Sequence, residues 1–321
     1  MAQFIVTGGA GLIGSNLVAG LNARGICDIL VTDHLNHPLK EKNLARLRYA
    51  RYLDRDAFRT ALRAGEIAPA TTLFHLGACS STTETNQAYL DDNNTGTTRE
   101  LCEWCLATGT RFIYASSAAT YGDGELGYCD EDAVTPSLQP LNLYGWSKQK
   151  FDLVALREGW LNRIVGLKYF NVFGPGEGHK GEMRSVVHKA YHQISERGSF
   201  SLFRSHRPDY TDGGQVRDFV YVKDAVAVTL FFHDHPEASG LFNCGTGKAR
   251  SWLDLLTAVY AAMGRDPIIS FVDMPAHLRD KYQYFTEADT RKLHASGCRH
   301  AFMPLEDAVR DYVRNDLDLV P

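Results

Sequence analysis

The 321-residue sequence lacks several features that would place a protein in a broad functional class at once. It has no apolar run of 18 residues, so no membrane-spanning helix is predicted. Its 34 basic residues face 38 acidic ones, which leaves no positive surplus for binding nucleic acid. The first residues show neither the charged region nor the apolar stretch of a secretory signal. These absences predict a cytoplasmic protein without a nucleic-acid or membrane partner.

Cysteine is also sparse, and the metal-binding patterns are incomplete. Seven cysteines, an odd number, favour reduced thiols over a disulfide framework. Cys102 and Cys105 form a single CxxC pair with no second pair to complete a zinc site. His188 and His192 are one helical turn apart, but Lys189 stands where a zinc protease has its glutamate. No metal site is therefore predicted.

The stretch "GPGEGHKGEM" (174–183) is rich in glycine but lacks the phosphate-binding P-loop pattern. Gly174 and Gly178 have the spacing that a P-loop requires. His179, however, separates Gly178 from Lys180, and another glycine follows in place of the hydroxyl residue. Taken alone, Lys180 is explained as well by a solvated turn as by a function.

Apolar runs alternate with helical periods through the first half of the chain. This alternation predicts an α/β fold of the Rossmann type, with a doubly wound parallel sheet. Predicted strands lie near 3–7, 28–33, 71–76, 110–116 and 163–170, with helices near 12–24, 56–65, 84–107 and 143–158.

After about residue 171 the pattern loosens into short elements, which indicates a smaller mixed α/β domain. Helical stretches are predicted near 183–197, 251–263 and 304–315, and 217–232 reads as a strand that turns into a helix. We therefore expect a dinucleotide-binding domain from 1–171 and 217–243, and a substrate-binding domain from 172–216 and 244–321.

The stretch "FIVTGGAGLIGSNLVAGL" starts as a strand and becomes a helix, with glycines at the turn. Gly8 is followed by the spacing Gly9-x-Gly11-x-x-Gly14. Glycines there let the backbone approach a pyrophosphate, and the start of the helix attracts its negative charge. The pattern predicts a dinucleotide site.

The second predicted strand ends at Asp33, where an acid that binds the cofactor ribose is expected. Such an acid usually favours NAD. His34, Lys40 and Arg55 follow shortly, however, and any of them could neutralise a 2′-phosphate. We predict NADP as the cofactor, with NAD as the alternative.

Candidate catalytic residues follow the strand "RFIYASS" and lie on the helix "LYGWSKQKFDL". The strand places Ser117 at its carboxyl end, where ligands of open α/β sheets collect. Tyr144 and Lys148 are spaced i, i+4 and share one helix face. An ammonium and an oxidised nicotinamide beside a phenol both favour the phenolate, so Tyr144 is a candidate acid/base. Ser117 could hydrogen-bond the same substrate oxygen.

Motifs over the whole chain resemble the extended short-chain dehydrogenase/reductase superfamily of sugar-nucleotide enzymes: "TGGAGLIGSN", "SSAATYG", "YGWSK", "RDFVYV" and "FNCGTG". Within it, "HLGACSSTTE", "DNN", "YFNVFGPGEGHKGEM" and "YQYFTEAD" are similar to the ADP-L-glycero-D-manno-heptose 6-epimerase family. The resemblance implies a homo-oligomeric isomerase, a homopentamer in the family, with tightly bound NADP. Its reaction would invert C6 of the heptose in ADP-D-glycero-D-manno-heptose, with no net redox, for the lipopolysaccharide inner core.

Matched position by position, the resemblance implies contacts to both ligands. Substrate contacts are expected from Ser117, Asn171, Arg217 and Tyr282. The segment after Phe203 is longer than in the family form considered, so Phe203, Arg204, Ser205 and His206 remain alternatives for the nucleotide contact. With the glycine-turn residues, the expected cofactor contacts are Gly8, Gly11, Leu12, Ile13, Gly14, Asp33, His34, Lys40, Arg55, Leu76, Gly77, Ala78, Cys79, Ser80, Asn93, Lys148, Val172 and Lys180.

The implied reaction gives Lys180 a role. Hydride would leave C6, a ketone would form, and hydride would return to the opposite face. The nicotinamide cannot change sides, so the ketone or the substrate takes two poses, each of which needs a proton donor beside the oxygen. Lys180 follows Asn171 in a glycine-rich loop that can approach the sugar. We expect it to be the second acid/base beside Tyr144.

Three other functions remain as alternatives of unequal weight. A sugar-nucleotide dehydratase would carry an Asp-Glu pair after the catalytic hydroxyl residue, whereas Ala118 and Ala119 stand here. A non-catalytic NADP-sensing module is expected to have lost the tyrosine or the lysine. Another nucleotide-sugar epimerase or reductase of the same superfamily is the main remaining alternative.

Overall fold

The computed structural model describes residues 3–279 and 282–318 and contains twelve strands in that part of the chain. The predicted domain segments also include 1–2, 280–281 and 319–321, which lie outside the described residues. The strands are β1 (Phe4–Thr7), β2 (Ile29–Asp33), β3 (Arg51–Asp54), β4 (Thr72–His75), β5 (Arg111–Ser117), β6 (Val165–Tyr169), β7 (Asn171–Phe173), β8 (Phe200–Phe203), β9 (Val216–Tyr221), β10 (Gly240–Cys244), β11 (Ala249–Ser251) and β12 (Ile269–Val272).

The α-helices of the same described ranges follow in chain order, with short 3₁₀ and π segments between them. They are α1 (Leu12–Ala23), α2 (Pro38–Leu44), α3 (Arg55–Arg63), α4 (Gln87–Leu90), α5 (Thr97–Thr108), α6 (Leu143–Arg157), α7 (Val186–Arg197), α8 (Val222–Asp234), α9 (Trp252–Ala262), α10 (Ala276–Arg279), α11 (Arg291–Ala295) and α12 (Leu305–Tyr312). No helix of the described residues is long and apolar enough to cross a bilayer.

Seven strands form one parallel sheet in the order β10-β6-β5-β4-β1-β2-β3. Alternate side chains of its strands face opposite layers. Phe4 and Val6 pack in the layer that contains α1 and α8, whereas Ile5 packs in the layer that contains α3, α5 and α6. The predicted Rossmann-type α/β fold is confirmed. Parallel strands with this order bring their carboxyl ends to one edge, where a ligand crevice forms.

The remaining strands form two smaller sheets. Strand β9 pairs with β7 in parallel and with β11 in antiparallel orientation, and β8 pairs with β12. These strands pack with α7, α9 and α12 around a separate apolar cluster. Helix α8 packs with α1, and β10 joins the edge of the seven-stranded sheet.

Several predicted element bounds were wrong. The strand expected over 163–170 ends at Tyr169, and the chain enters the smaller sheet at Asn171. The helix expected over 84–107 starts at Gln87 and contains a π segment, Asp91–Gly96. Strand β3 was not predicted, because it is an edge strand with little burial and lacks the apolar run that marks a central strand.

Candidate active site

The turn between β1 and α1 is built so that another backbone segment comes very close to it. Gly8 has φ of +66°, and a Cβ there would lie 2.5 Å from the backbone nitrogen of Gly77. A Cβ on Gly14 would lie 2.0 Å from the carbonyl oxygen of Gly8. Only glycine fits both places, so α1 begins directly against the turn and points its free N–H groups at the crevice. This cradle fits the pyrophosphate of a dinucleotide.

Asp33 stands at the end of β2 and is held by three donors. Its Oδ2 accepts from the backbone of Ala10 at 2.9 Å, and its Oδ1 accepts from the backbone of His34 at 2.7 Å. Lys40 donates to Oδ1 at 2.8 Å. The carboxylate is therefore neutralised by an ammonium that lines the same cavity.

Lys40 lies where two neighbouring cavities meet. The first, of about 240 Å³, contains the glycine turn, and the second, of about 370 Å³, is also lined by His34 and Arg55. Arg55 donates to Asn93 at 2.8 Å and to Asp56 at 3.0 Å. The three residues of which any was predicted to neutralise a 2′-phosphate thus lie around one space.

Tyr144 enters the first cavity from the first turn of α6. The Asn142 side chain accepts a hydrogen bond from the backbone of Gly145 at 2.9 Å and caps the helix there. Ser117, at the end of β5, lines the same cavity. Burial raises the pKa of the Tyr144 phenol, and a hydrogen bond from Ser117 opposes that change. The protein groups alone therefore favour the protonated phenol, which can act as an acid.

Lys148 lies one helical turn after Tyr144 and is buried. Its Nζ donates to the backbone carbonyl of Ala115 at 2.7 Å. Burial lowers its pKa to about 8, while Asp152 and Cys79 act in the opposite direction. The group lines the cavity beside Tyr144. A cation there lowers the free energy of the phenolate, as the sequence argument requires.

The loop that carries Lys180 is hydrogen-bonded to helices α1 and α2. Asn16 of α1 donates to the carbonyl of Pro175 at 2.8 Å, and Asn43 of α2 donates to the carbonyl of Gly176 at 2.8 Å. Asn43 also donates to the carbonyl of Ala10 at 2.9 Å. Two side-chain amides thus clasp the loop onto the dinucleotide cradle.

A buried carboxylate fixes the other end of the loop. Glu177 accepts from the backbone and the hydroxyl of Ser185, at 2.5 and 2.7 Å, and from the backbone of Gly174 at 3.3 Å. Ser185 is also the N-cap of α7. The loop is therefore hydrogen-bonded at one end to α1 and α2 and at the other end to the start of α7, which packs in the apolar cluster of the smaller sheets.

Lys180 stands between two cavities. It lines the first cavity with Tyr144, and it lines a further cavity of about 300 Å³ with Asn171 and Trp252. Burial lowers the pKa of its amine, an effect that Glu177 opposes. A lowered pKa increases the fraction of neutral amine, the form that can accept a proton. A solvated turn lysine does not have this environment.

Arg217 and Tyr282 lie together beside Trp252, which lines that further cavity. The Arg217 guanidinium is 5.2 Å from the ring centroid of Tyr282 and 5.6 Å from that of Trp252. The indole of Trp252 donates to the Tyr282 hydroxyl at 2.9 Å. A buried guanidinium between two aromatic rings can bind both a phosphate and a planar base.

The other predicted substrate residues divide into two groups. The backbone of His206 and the hydroxyl of Ser205 donate to the Tyr284 hydroxyl, at 2.9 and 3.3 Å. Tyr284 lies 5.5 Å from Tyr282 between ring centroids, so this group adjoins Arg217. Arg204 is instead paired with Asp212 and Asp273 on the surface. Phe203, the last residue of β8, is half-buried and lines none of the cavities named above.

Every predicted cofactor contact lines one of the first two cavities. Those in the first are Gly8, Gly11, Leu12, Ile13, Gly14, Asp33, Lys40, Leu76, Gly77, Ala78, Ser80, Lys148, Val172 and Lys180. His34, Arg55, Cys79 and Asn93 line the second.

Sequence reasoning missed His179, Trp252 and Tyr284. His179 lines the first cavity, and burial and the charge of Lys40 lower the pKa of its imidazole to about 4. From the sequence, His179 was considered only as the residue that separates Gly178 from Lys180 and so breaks the P-loop pattern. Trp252 belongs to no quoted motif, and its place follows from the packing of α9 against β9. Tyr284 lies within the quoted stretch "YQYFTEAD", from which only Tyr282 was selected.

Comparisons with known proteins show the family of this chain. Residues 4–245 match the model of the NAD dependent epimerase/dehydratase family. An ADP-L-glycero-D-manno-heptose-6-epimerase of Nitratidesulfovibrio vulgaris strain DP4 is 55% identical over 98% of both chains. One of the same name from Fusobacterium nucleatum is 44% identical over 98% of both chains.

Solved structures are similar along nearly the whole chain. The crystal structure of Helicobacter pylori ADP-L-glycero-D-manno-heptose-6-epimerase superposes with a TM-score of 0.81 at 26% identity, covering 97% of this chain and 95% of that one. Thermus thermophilus UDP-glucose 4-epimerase, in complex with NAD, superposes with a TM-score of 0.77 at 27% identity and 99% coverage of both.

Proposed function

Because the chain belongs to the NAD dependent epimerase/dehydratase family, and within it to the ADP-L-glycero-D-manno-heptose-6-epimerases, we propose that it inverts C6 of the heptose in ADP-D-glycero-D-manno-heptose. The product is ADP-L-glycero-D-manno-heptose, and the path is a transient C6 ketone with no net oxidation. NADP is the proposed cofactor. The product would serve the synthesis of the lipopolysaccharide inner core.

One observation carries the proposal: the cavity that contains the glycine turn is lined by two separate proton-exchanging groups. Tyr144 comes from α6 and Lys180 from the loop after β7. Inversion of a stereocentre through a ketone needs a proton at the same oxygen in two orientations. Two groups on different elements meet this need, whereas a simple reductase needs one.

We propose the following roles for the residues of these cavities. Ser117 and Tyr144 bind the C6 oxygen in one orientation, and Lys180 binds it in the other. Lys148 supports the phenolate of Tyr144 by its positive charge. Asn171, which lines the further cavity with Lys180, orients the sugar. In one inversion the first of the two acid/base side chains takes the proton of the C6 hydroxyl and the second gives a proton to the ketone oxygen, so the protein regains its starting state when a proton passes back between the two groups through solvent.

The residues present fit a dinucleotide, which supplies reversible hydride acceptance when it is bound. The cradle of Gly8 and Gly14 receives the pyrophosphate, and Asp33 binds the adenosine ribose. Lys40 and Arg55 bind the 2′-phosphate of NADP. Because Asp33 is already paired with Lys40, its charge does not repel that phosphate.

In this proposal, the smaller sheets and the helices packed with them (α7, α9 and α12) bind the ADP part of the substrate. Arg217 and Tyr282 form the binding surface, with Ser205 and His206 beside them. The proposed division follows the predicted one, with 172–216 and 244–321 as the substrate-binding part. As the family resemblance implies, we further propose a cytoplasmic homo-oligomer, with five copies as the expected number.

The experiment uses purified protein and ADP-D-glycero-D-manno-heptose with no added cofactor, and follows C6 by NMR. The L-glycero signal is expected to grow until both epimers reach equilibrium, while absorbance at 340 nm does not change with turnover. A reductase would instead require added reduced cofactor in stoichiometric amounts. Folded protein that retains its nucleotide and leaves C6 unchanged would refute the proposal.

A further inference from the structure

A buried ionic cluster lies directly behind the catalytic residues. Asp152 of α6 and Lys168 of β6 are both fully buried, with Nζ and Oδ2 2.8 Å apart. The carboxylate also accepts from the hydroxyls of Tyr114 at 2.8 Å and Ser116 at 2.7 Å. Lys168 donates in addition to Thr120 at 2.7 Å. Three donors therefore hold the Asp152 carboxylate in one place.

The cluster and the catalytic group share two elements. Tyr144, Lys148 and Asp152 follow one another at intervals of four residues along α6, so they lie on one helix face. Ser116, which donates to Asp152, directly precedes Ser117 on β5. A displacement or a change of charge at Asp152 thus acts on the catalytic residues from both sides.

Two lysines, Lys148 and Lys168, lie beside the single carboxylate of Asp152. Lys148 makes its hydrogen bond to the neutral carbonyl of Ala115. Asp152 therefore acts on the pKa of Lys148 through its charge and not through a hydrogen bond, and it raises the pKa that burial lowers. The titratable groups around Lys148 are Tyr144 and Asp152 on α6, His75 on β4, Cys79 in the loop after β4, and Lys168 on β6.

We propose that Asp152 is a positioning residue that keeps Lys148 cationic at the working pH and thereby sustains the acid/base function of Tyr144. Tyr114, Ser116 and Lys168 hold the carboxylate in place behind Lys148. The proposal rests on the proposed function, in which Lys148 acts through its charge. It goes further because the residue that controls this charge is fully buried and lines none of the cavities described above.

Three other observations support this assignment. Burial alone takes the pKa of Lys148 down, and Asp152 is the largest influence in the opposite direction. His75 is neutral near pH 7 because burial and Lys148 lower its pKa to about 3. Cys79 is the other group that supports the cation. Asp152 is thus the carboxylate on which the charge of Lys148 depends.

The test measures the ionisation of Lys148 directly. Protein containing lysine labelled with ¹³C at Cε is titrated by NMR, and the Lys148 resonance is assigned by its loss in Lys148→Met. The wild-type midpoint is expected at about 8. The main variant is Asp152→Asn/Lys168→Met, which removes both charges and leaves neither buried charge unpaired, so it is expected to fold.

Loss of Asp152 is expected to lower the midpoint of Lys148 by about one pH unit or more. The alkaline limb of the C6 epimerisation rate is expected to move to lower pH by the same amount. The matched control, Tyr114→Phe, removes one hydrogen bond and leaves both charges of the Asp152–Lys168 pair in place, so it is not expected to lower the midpoint.

An unchanged Lys148 midpoint in the folded double variant would overturn the inference. So would an equal fall in Tyr114→Phe, since packing and not charge would then be the cause. The titration needs no turnover, so it remains decisive if the wild-type protein does not invert C6. That second result would refute the proposed function alone.

Discussion

Replacement of Lys40 by alanine is expected to remove the preference for NADP over NAD. Lys40 reaches Asp33 at 2.8 Å and the carbonyl of His34 at 3.1 Å, and it lines both nucleotide cavities. A charge-assisted hydrogen bond to the 2′-phosphate contributes about 1.5–3 kcal/mol. At 1.4 kcal/mol for each tenfold change, its loss weakens NADP by about 10- to 150-fold.

The variant also changes what remains in the site. Without Lys40, Asp33 is left with two backbone donors and no neighbouring ion partner, so its negative charge repels the 2′-phosphate. NAD has no phosphate there and keeps its ribose contact to Asp33. The change in selectivity is therefore expected to be larger for Lys40→Ala than for Arg55→Ala, whose removal exposes no ribose-binding carboxylate.

The assay is calorimetric titration of nucleotide-free protein with NADP and with NAD. Lys42→Ala is the matched control, because Lys42 lies on the same short helix, is exposed and lines neither cavity. The dissociation constants of the control are expected to equal those of the wild type. Equal weakening of both nucleotides in Lys40→Ala would show that this lysine does not read the 2′-phosphate.

Three further predictions concern catalysis and stability. Tyr144→Phe is expected to slow epimerisation by about 10²- to 10⁴-fold with NADP affinity unchanged; turnover above a tenth of wild type would contradict the role. Lys180→Met is expected to stop hydride transfer to one of two 6-aldehyde analogues that mimic the opposite C6 poses, with Tyr144→Phe stopping the other; near-normal C6 inversion would leave Lys180 without a catalytic role. Asp130→Asn is expected to gain stability relative to wild type as pH rises from about 4 to about 6, because burial raises the folded pKa of Asp130 to about 6 and its ionised form is the costly one. The difference in unfolding free energy approaches about 3 kcal/mol above pH 6, measured by urea denaturation, and a pH-independent difference would contradict it.

The local parts of the site could be predicted because their signals are short and periodic. The glycine turn requires close backbone approach within a few residues, and Tyr144 and Lys148 need only a helix to share a face. Asp33 follows from the end of a buried strand. Each of these inferences uses neighbours in sequence, so a single chain contains the information.

The parts that depend on packing between distant segments could not be predicted. Strand β3 forms at the edge of the sheet, where burial leaves little mark on its sequence. Tyr284 holds Ser205 and His206 from about 80 residues away. The pKa direction of Tyr144 also differs from the sequence argument, which counted the charge beside the phenol but not the burial of the ring.

The two amide clasps from Asn16 and Asn43 bear on how long a coenzyme stays with the protein. His179 and Lys180 of the loop 174–183 line the cavity that contains the cradle, and moving this loop away from a bound dinucleotide would break the hydrogen bonds of both amides to their carbonyl partners. A dehydrogenase must exchange its coenzyme in every cycle, and such a closure would slow it. An epimerase returns the hydride to the molecule that gave it. For such an enzyme, slow exchange protects the half-completed reaction, because a reduced coenzyme that escaped would strand a ketone in the site.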